Sequence, residues 1–282
     1  MTRLYVGQAL WSLGRTGCRR MLVIARIVAA AVRRFRYVFS VVLFAKAPAL
    51  RYLNIEINSA CNRKCRWCPN HKHTRAKDGY LDGRLFRKII REAEDMGFTG
   101  GVTFNMYNEP LLDRRLPAII KYAREHLPSS YIYLNTNGDY LTLELWSKLR
   151  ANGLDYANVS QYDGKINDNI QQMLSKIDGR ERRRLYAHVF CVGAINNRGG
   201  LVSTKGRVPL RKYCNRPFEQ LSVTYEGKVI ICCNDYLAQV VIGDIAEDSI
   251  KDLWESDIFK RYRRELLAGK RARLDLCKSC DA

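Results

Sequence analysis

The chain has 282 residues, ten cysteines, and 48 lysines and arginines against 28 aspartates and glutamates, for a formal charge of +20. That length can bury a full core and fits one catalytic domain with a small appendage. Ten cysteines would suggest disulfides in a secreted protein, but no small-residue cleavage site marks a signal peptide, and seven of the ten fall in two sets; the usage points to a reducing cytoplasm where thiols stay available to metals.

The charge is unevenly spread. Residues 1–51 hold ten basic side chains and no acid, and Glu56 is the first carboxylate. Arg26, Arg33, Arg34 and Arg36 interrupt the aliphatic stretch 21–50, so no run reaches the ~18 apolar residues of a spanning helix. Residues 1–50 are expected to form a basic amphipathic extension. It either lies on an anionic membrane surface, peripheral on the inner face, or packs on the open side of the catalytic domain with its arginines solvated. A transit peptide is a third reading. Nucleic acid is not an expected partner, because the basic residues alternate with Leu, Ile and Val instead of aromatics and glycine.

An apolar run, 52–57, leads into CNRKCRWCP at 61–69. Cys61, Cys65 and Cys68 put three thiolates in one short loop, enough to hold a 4Fe–4S cluster with one iron left open. Structural zinc wants four ligands and usually shows CxxC pairs; His71 and His73 could complete such a site. Strand-like runs follow at 101–106, 131–136, 154–160 and 185–192, and helical patterns at 85–97, 114–128, 141–153 and 165–179 alternate with them. The alternation predicts a parallel α/β sheet or barrel, with chemistry at the C-terminal strand ends, where the cysteine loop already sits. Other strand ends carry polar groups: Asn108 and Glu109 in YNEP, Asn135 and Thr136 in LNTNG, Ser160 in NVSQYDG, and Arg198 in NNRGG. Taken alone, an Asn-Gly pair is an ordinary turn and a strand-ending serine satisfies its own backbone. Cys191, inside an apolar strand, reads as a buried small hydrophobe.

The last segment holds Cys214, Cys232, Cys277 and Cys280, four thiolates from three separated stretches, suited to a fully ligated cluster or to zinc. LSVTYEGKVIICC reads as two strands around a turn that needs positive φ at Gly227 and folds Cys232 back toward Cys214. Cys233, next along the strand, should point to the opposite face.

The CxxxCxxC loop after a first strand resembles the radical S-adenosylmethionine (SAM) superfamily. The spacing C-x12-G-x4-C followed by a terminal CxxC resembles the truncated SPASM, or twitch, domain found in some of its members. The resemblance implies an α/β fold: a partial (β/α) barrel over 51–208 and a twitch domain over 209–282, a β-hairpin plus helix holding one auxiliary 4Fe–4S cluster on the four late cysteines. It implies a SAM site with Trp67 beside the adenine, the Asn108–Glu109 stretch at the amino group, Asn135 and Thr136 at the carboxylate or ribose, and Ser160 at the ribose. The family has a glycine at the place of Asn108. Arg198 would orient a substrate hydroxyl or anion. The implied partners are a small-molecule sugar, polyol or aminocyclitol and a flavodoxin- or ferredoxin-type reductant. Three activities are expected in order: oxidation of a secondary alcohol; epimerisation with Cys233 as hydrogen-atom donor; and, in a different class, a zinc-binding adaptor without chemistry.

Overall fold

The computed structural model describes residues 32, 35, 47–73, 79–191, 195–204 and 208–282. It divides into two units, Met1–Pro48 and Ala49–Ala282. The proposed membrane-binding segment, and Cys18 with it, lies outside the described residues; within the first unit Val32 and Phe35 are helical.

The second unit is built on one eight-stranded sheet in the order β5-β4-β3-β2-β1-β6-β7-β8. Its first five strands are β1 (Tyr52–Ile55), β2 (Gly101–Thr103), β3 (Tyr131–Thr136), β4 (Tyr156–Gln161) and β5 (Leu185–Val189). All neighbouring pairs among them are parallel. The helices between them are α1 (Gly83–Asp95), α2 (Leu116–His126), α3 (Leu143–Ala151), α4 (Asp168–Lys176) and the short α5 (Gly179–Arg182). After α1, Gly97 takes φ 64, a conformation open to glycine without a Cβ penalty, and its N–H closes on Glu94 O.

Strand period two gives the sheet two different faces. Leu53, Ile55, Val102, Ile132, Leu134 and Val159 lie on one side, each at most 1% exposed. Helix stripes such as Phe86, Ile89, Ile90 and Ala93 of α1, and Ile119, Ile120 and Ala123 of α2, supply the rest of this buried core. The alternate positions are polar: Asn54 pairs in register with Thr103, Thr103 with Tyr133, Asn135 with Asn158, and Ser160 with His188.

The C-terminal segment joins the same sheet. After α6 (Arg216–Glu219), β6 (Gln220–Val223) pairs parallel with β1, and β7 (Lys228–Ile230) and β8 (Val241–Asp244) continue antiparallel. The five strands before Cys214 thus gain a sixth parallel strand from the segment expected to form only a hairpin. Gly227 makes the turn at φ 84. A third strand, β8, and three helices, α6, α7 (Ile250–Trp254) and α8 (Asp257–Leu267), stand where a hairpin and one helix were expected.

Candidate active site

The cysteine loop follows β1 and is clamped by its own arginine. Arg63, between Cys61 and Cys65, donates Nε and Nη2 to the two carboxylate oxygens of Asp139, both at 2.6 Å, and Nη1 and Nη2 to Asp163 at 2.9 and 2.8 Å. Asn62 adds a bond to Asp139 at 2.7 Å and accepts from Asn137 at 2.8 Å. The loop is thereby pinned to the turns after β3 and β4 by bidentate, charge-assisted bonds, the strong kind. Burial pushes the Cys61 thiol up to about 11 and raises that of Cys65. Such thiols become good ligands when a metal replaces their protons.

Glu109 is 2% exposed and faces inward from the YNEP turn. Its carboxylate accepts from Thr136 Oγ1 (2.6 Å), Asn137 N (2.8 Å) and Leu111 N (3.1 Å). Burial outweighs these three donors and raises its pKa to about 7. Glu109 and Thr136 are thus brought together, and the carboxylate keeps room for one more donor. Asn108 is turned into the protein: its amide bridges Met106 N, Asn58 and Phe104 O. Asn135 belongs to a chain of amides across the sheet, bonded to Asn105 on one side and to Asn158 on the other. Ser160, buried, shares a side-chain hydrogen bond with Tyr162. Trp67 stacks on Phe190 (centroids 5.7 Å, 23°) and leans on Tyr162 at 5.8 Å, an aromatic wall beside the cysteine loop. His71 and His73 turn elsewhere. His71 Nδ1 lies 3.1 Å from Lys64 O, and the His73 ring packs against Tyr236.

The four late cysteines line one cavity. Among the described residues no three Cys, His, Asp or Glu side chains converge tightly enough to hold a single ion. Four thiols around one cavity are a donor set for a fully ligated cluster or for zinc. Asn234 reaches two of them, its N–H 3.2 Å from Cys232 Sγ and its amide 3.7 Å from Cys280 Sγ. Cys232 lines this cavity and Cys233 does not. The Cys233 thiol lies 3.9 Å from Gln220 Oε1 and within electrostatic reach of Arg198, Tyr107 and Tyr133.

Arg198 is held in the left-handed region at φ 50, unusual for a side chain with a Cβ. The neighbouring Asn197 is bolted to the last cysteine pair: its N–H donates to Asp281 at 2.6 Å and its amide to Ser279 O at 2.5 Å. Arg198 Nε is buried without a hydrogen-bond partner, and so is the Tyr107 hydroxyl. Tyr107, 8% exposed, feels Arg198, Cys233, Cys232 and Cys68 together, which places it between the two cysteine sets. Burial raises its phenol well above the ordinary range.

Several of these groups were not singled out in the sequence. The Arg63–Asp139 pair spans 76 positions, Asp281 and Asn197 meet across 84, and Tyr107 looked like one tyrosine among sixteen. A usable local signal existed only for Asp139, which follows the Asn-Gly turn.

Comparison with known proteins agrees with this geometry. Residues 55–185 match the radical SAM superfamily, and residues 214–281 match the iron–sulfur cluster-binding SPASM domain. The chain carries a radical SAM domain and a C-terminal SPASM-type domain. It is similar to the S-adenosyl-L-methionine-dependent 2-deoxy-scyllo-inosamine dehydrogenase of Niallia circulans, 29% identical over 230 residues, 81% of this chain and 92% of that protein. The crystal structure of BtrN in complex with AdoMet and 2-DOIA superposes with a TM-score of 0.78 at 29% identity, covering 84% of this chain and 95% of the other. Native anSMEcpe with bound AdoMet shares the fold at a TM-score of 0.56 and 14% identity, covering 83% of this chain and 89% of the other. The donor sets fit the cofactors of the family: three thiols on a clamped loop for a SAM-binding 4Fe–4S cluster, and four around a cavity for an auxiliary one.

Proposed function

We propose that the protein is a radical SAM dehydrogenase oxidising a secondary alcohol of a sugar, polyol or aminocyclitol. The observation that carries this is a pair of buried donors without hydrogen-bond partners, Arg198 Nε and the Tyr107 hydroxyl, with Tyr107 within electrostatic reach of Cys233 and of a cysteine from each set. Similarity to an aminocyclitol dehydrogenase over nearly its whole length supports the same reaction class. Cys61, Cys65 and Cys68 would hold a cluster that, with SAM, would supply hydrogen-atom abstraction at a carbinol carbon, and Cys214, Cys232, Cys277 and Cys280 would hold a second cluster able to accept one electron.

The chain's residues bind and align. Glu109, fixed by Thr136 and Asn137, offers its remaining acceptor position to the SAM amino group. Trp67, with Phe190 and Tyr162, covers the adenine, while Asn135 and Ser160 face the ribose and carboxylate. Asn108 shapes the turn that aims Glu109. Arg198 and Tyr107 bring two unpartnered donors to substrate oxygens. A flavodoxin- or ferredoxin-type protein delivers the electron, in the cytoplasm. Residues 1–50 hold the enzyme peripherally on an anionic membrane; among the described residues no helix is long and apolar enough to cross one. Sedimentation with anionic vesicles should show binding that weakens with salt, and vesicles that leave the protein in the supernatant would remove this assignment.

The test of the activity is incubation of the reconstituted protein with sugars and aminocyclitols deuterated at each carbinol carbon. Deuterium should appear in 5′-deoxyadenosine, accompanied by a ketone product. SAM cleavage that no member of the panel stimulates would count against this substrate class.

A second reading, epimerisation, rests on Cys233, which lies outside the four-thiol cavity yet near Arg198 and Tyr107. Replacing Cys233 by alanine separates the two. A dehydrogenase keeps forming ketone with a modest loss; an epimerase still makes 5′-deoxyadenosine while inversion disappears. Loss of the auxiliary iron in this variant would show that Cys233 is itself a ligand and sink both versions.

A further inference from the structure

Two arginines line the cavity of the four late cysteines. Arg271 is 2% exposed, and its donors reach main-chain oxygens: Nη2 to Ala282 at 2.8 Å and Tyr213 at 3.4 Å, and Nη1 to Cys280 at 3.5 Å. Its Nε is buried with no hydrogen-bond partner. Arg216, two residues after Cys214, places Nη1 3.9 Å from Cys232 Sγ. Among the described residues neither guanidinium has a hydrogen bond to an aspartate or glutamate side chain. A buried cation lacking its anion is strongly unfavourable, so this wall is built for negative charge inside the cavity.

A four-thiolate 4Fe–4S cluster carries that charge, doubly negative when oxidised and triply when reduced. We infer that Arg216 and Arg271 are the counter-ions of the auxiliary cluster and raise its reduction potential, making it the sink for the substrate's electron. The inference rests on the proposed dehydrogenase function and adds to it the residues that set the direction of electron flow. The arginines favour the more negative, reduced state through the low-dielectric cavity, where charges act strongly. The Asn234 donors at Cys232 and Cys280 act in the same sense, since hydrogen bonds to cluster sulfurs also raise the potential. Both arginines are positioning residues, acting on substrate only through the cluster.

The test uses the full chain with Cys61, Cys65 and Cys68 replaced by alanine, so that the auxiliary cluster alone is seen. Its midpoint potential is read by redox titration followed by electron paramagnetic resonance, with iron content measured on each sample. Arg216→Gln and Arg271→Gln should each move the midpoint to a more negative value while iron stays at about four per chain. Arg216→Lys, which keeps the charge, should stay close to the unsubstituted midpoint. Unmoved midpoints in iron-replete variants, or an Arg216→Lys shift as large as that of Arg216→Gln, would overturn the inference. Should Arg271→Gln fail to fold, because that side chain also ties Tyr213 and Ala282, the Arg216 pair decides alone. Absence of iron from the background protein would remove the four-thiolate site itself, and the counter-ion role with it.

Discussion

Glu109 shows how one buried carboxylate couples the chemistry of this site to pH. Burial holds its pKa at about 7 in the folded protein, above the ordinary 4.5. The folded state therefore binds this proton more tightly than the unfolded chain does. The corresponding stability is fully present below 4.5 and is lost as pH rises through 7, on the order of 3 kcal/mol in all. Denaturant midpoints of the cofactor-free protein should fall between pH 5 and 8, and the Glu109→Gln variant should show a flatter slope. An equally steep slope in the variant would assign the pH dependence to other groups. Glu109 itself was legible in the sequence through the Glu-Pro pair at a strand end. Its bonds to Thr136 and Asn137 were not, because these residues approach it only after β2 and β3 are brought side by side.

Loops, more than strands, decide the geometry of the first cysteine set. Arg63 holds the loop after β1 against the turns after β3 and β4, and each end of the pairing is partly shielded from water: side-chain exposure is 18% for Arg63 and 20% for Asp139. Removing such an outer partner of a metal ligand set commonly costs 10–100-fold in metal affinity, or roughly 1.4–3 kcal/mol. Arg63→Ala should therefore lower iron retention at Cys61, Cys65 and Cys68 under mild chelation, leaving the C-terminal iron in place. Equal retention at both sites would mean that the clamp does not order the loop. At this scale the helices and strands of the first half followed from apolar period and turn residues. Helix α8 did not, because its buried stripe, Phe259, Tyr262, Arg263 and Leu266, includes an arginine. Arg263 sits 4.1 Å from the centre of the Trp254 ring and donates to Pro217 O at 2.9 Å and Trp254 O at 2.8 Å. A cation held against π electrons and carbonyls is a core residue that a hydrophobic pattern cannot reveal.

For the whole molecule, pairing of β6 with β1 is the decisive connection. It makes the segment that holds the four late cysteines an extension of the sheet that holds the first cysteine loop, so the two thiol sets belong to one compact unit. Cysteine spacing, a local property, announced both sets in the sequence; the parallel pairing of residue 52 with residue 220 has no local trace. The central claim is that the two sets do separate work, the first cleaving SAM and the second accepting an electron. Replacing Cys61, Cys65 and Cys68 together by alanine tests it most directly, with SAM cleavage and iron content measured on the same reconstituted sample. The account predicts no 5′-deoxyadenosine and about four irons per chain; undiminished SAM cleavage by this variant would contradict it.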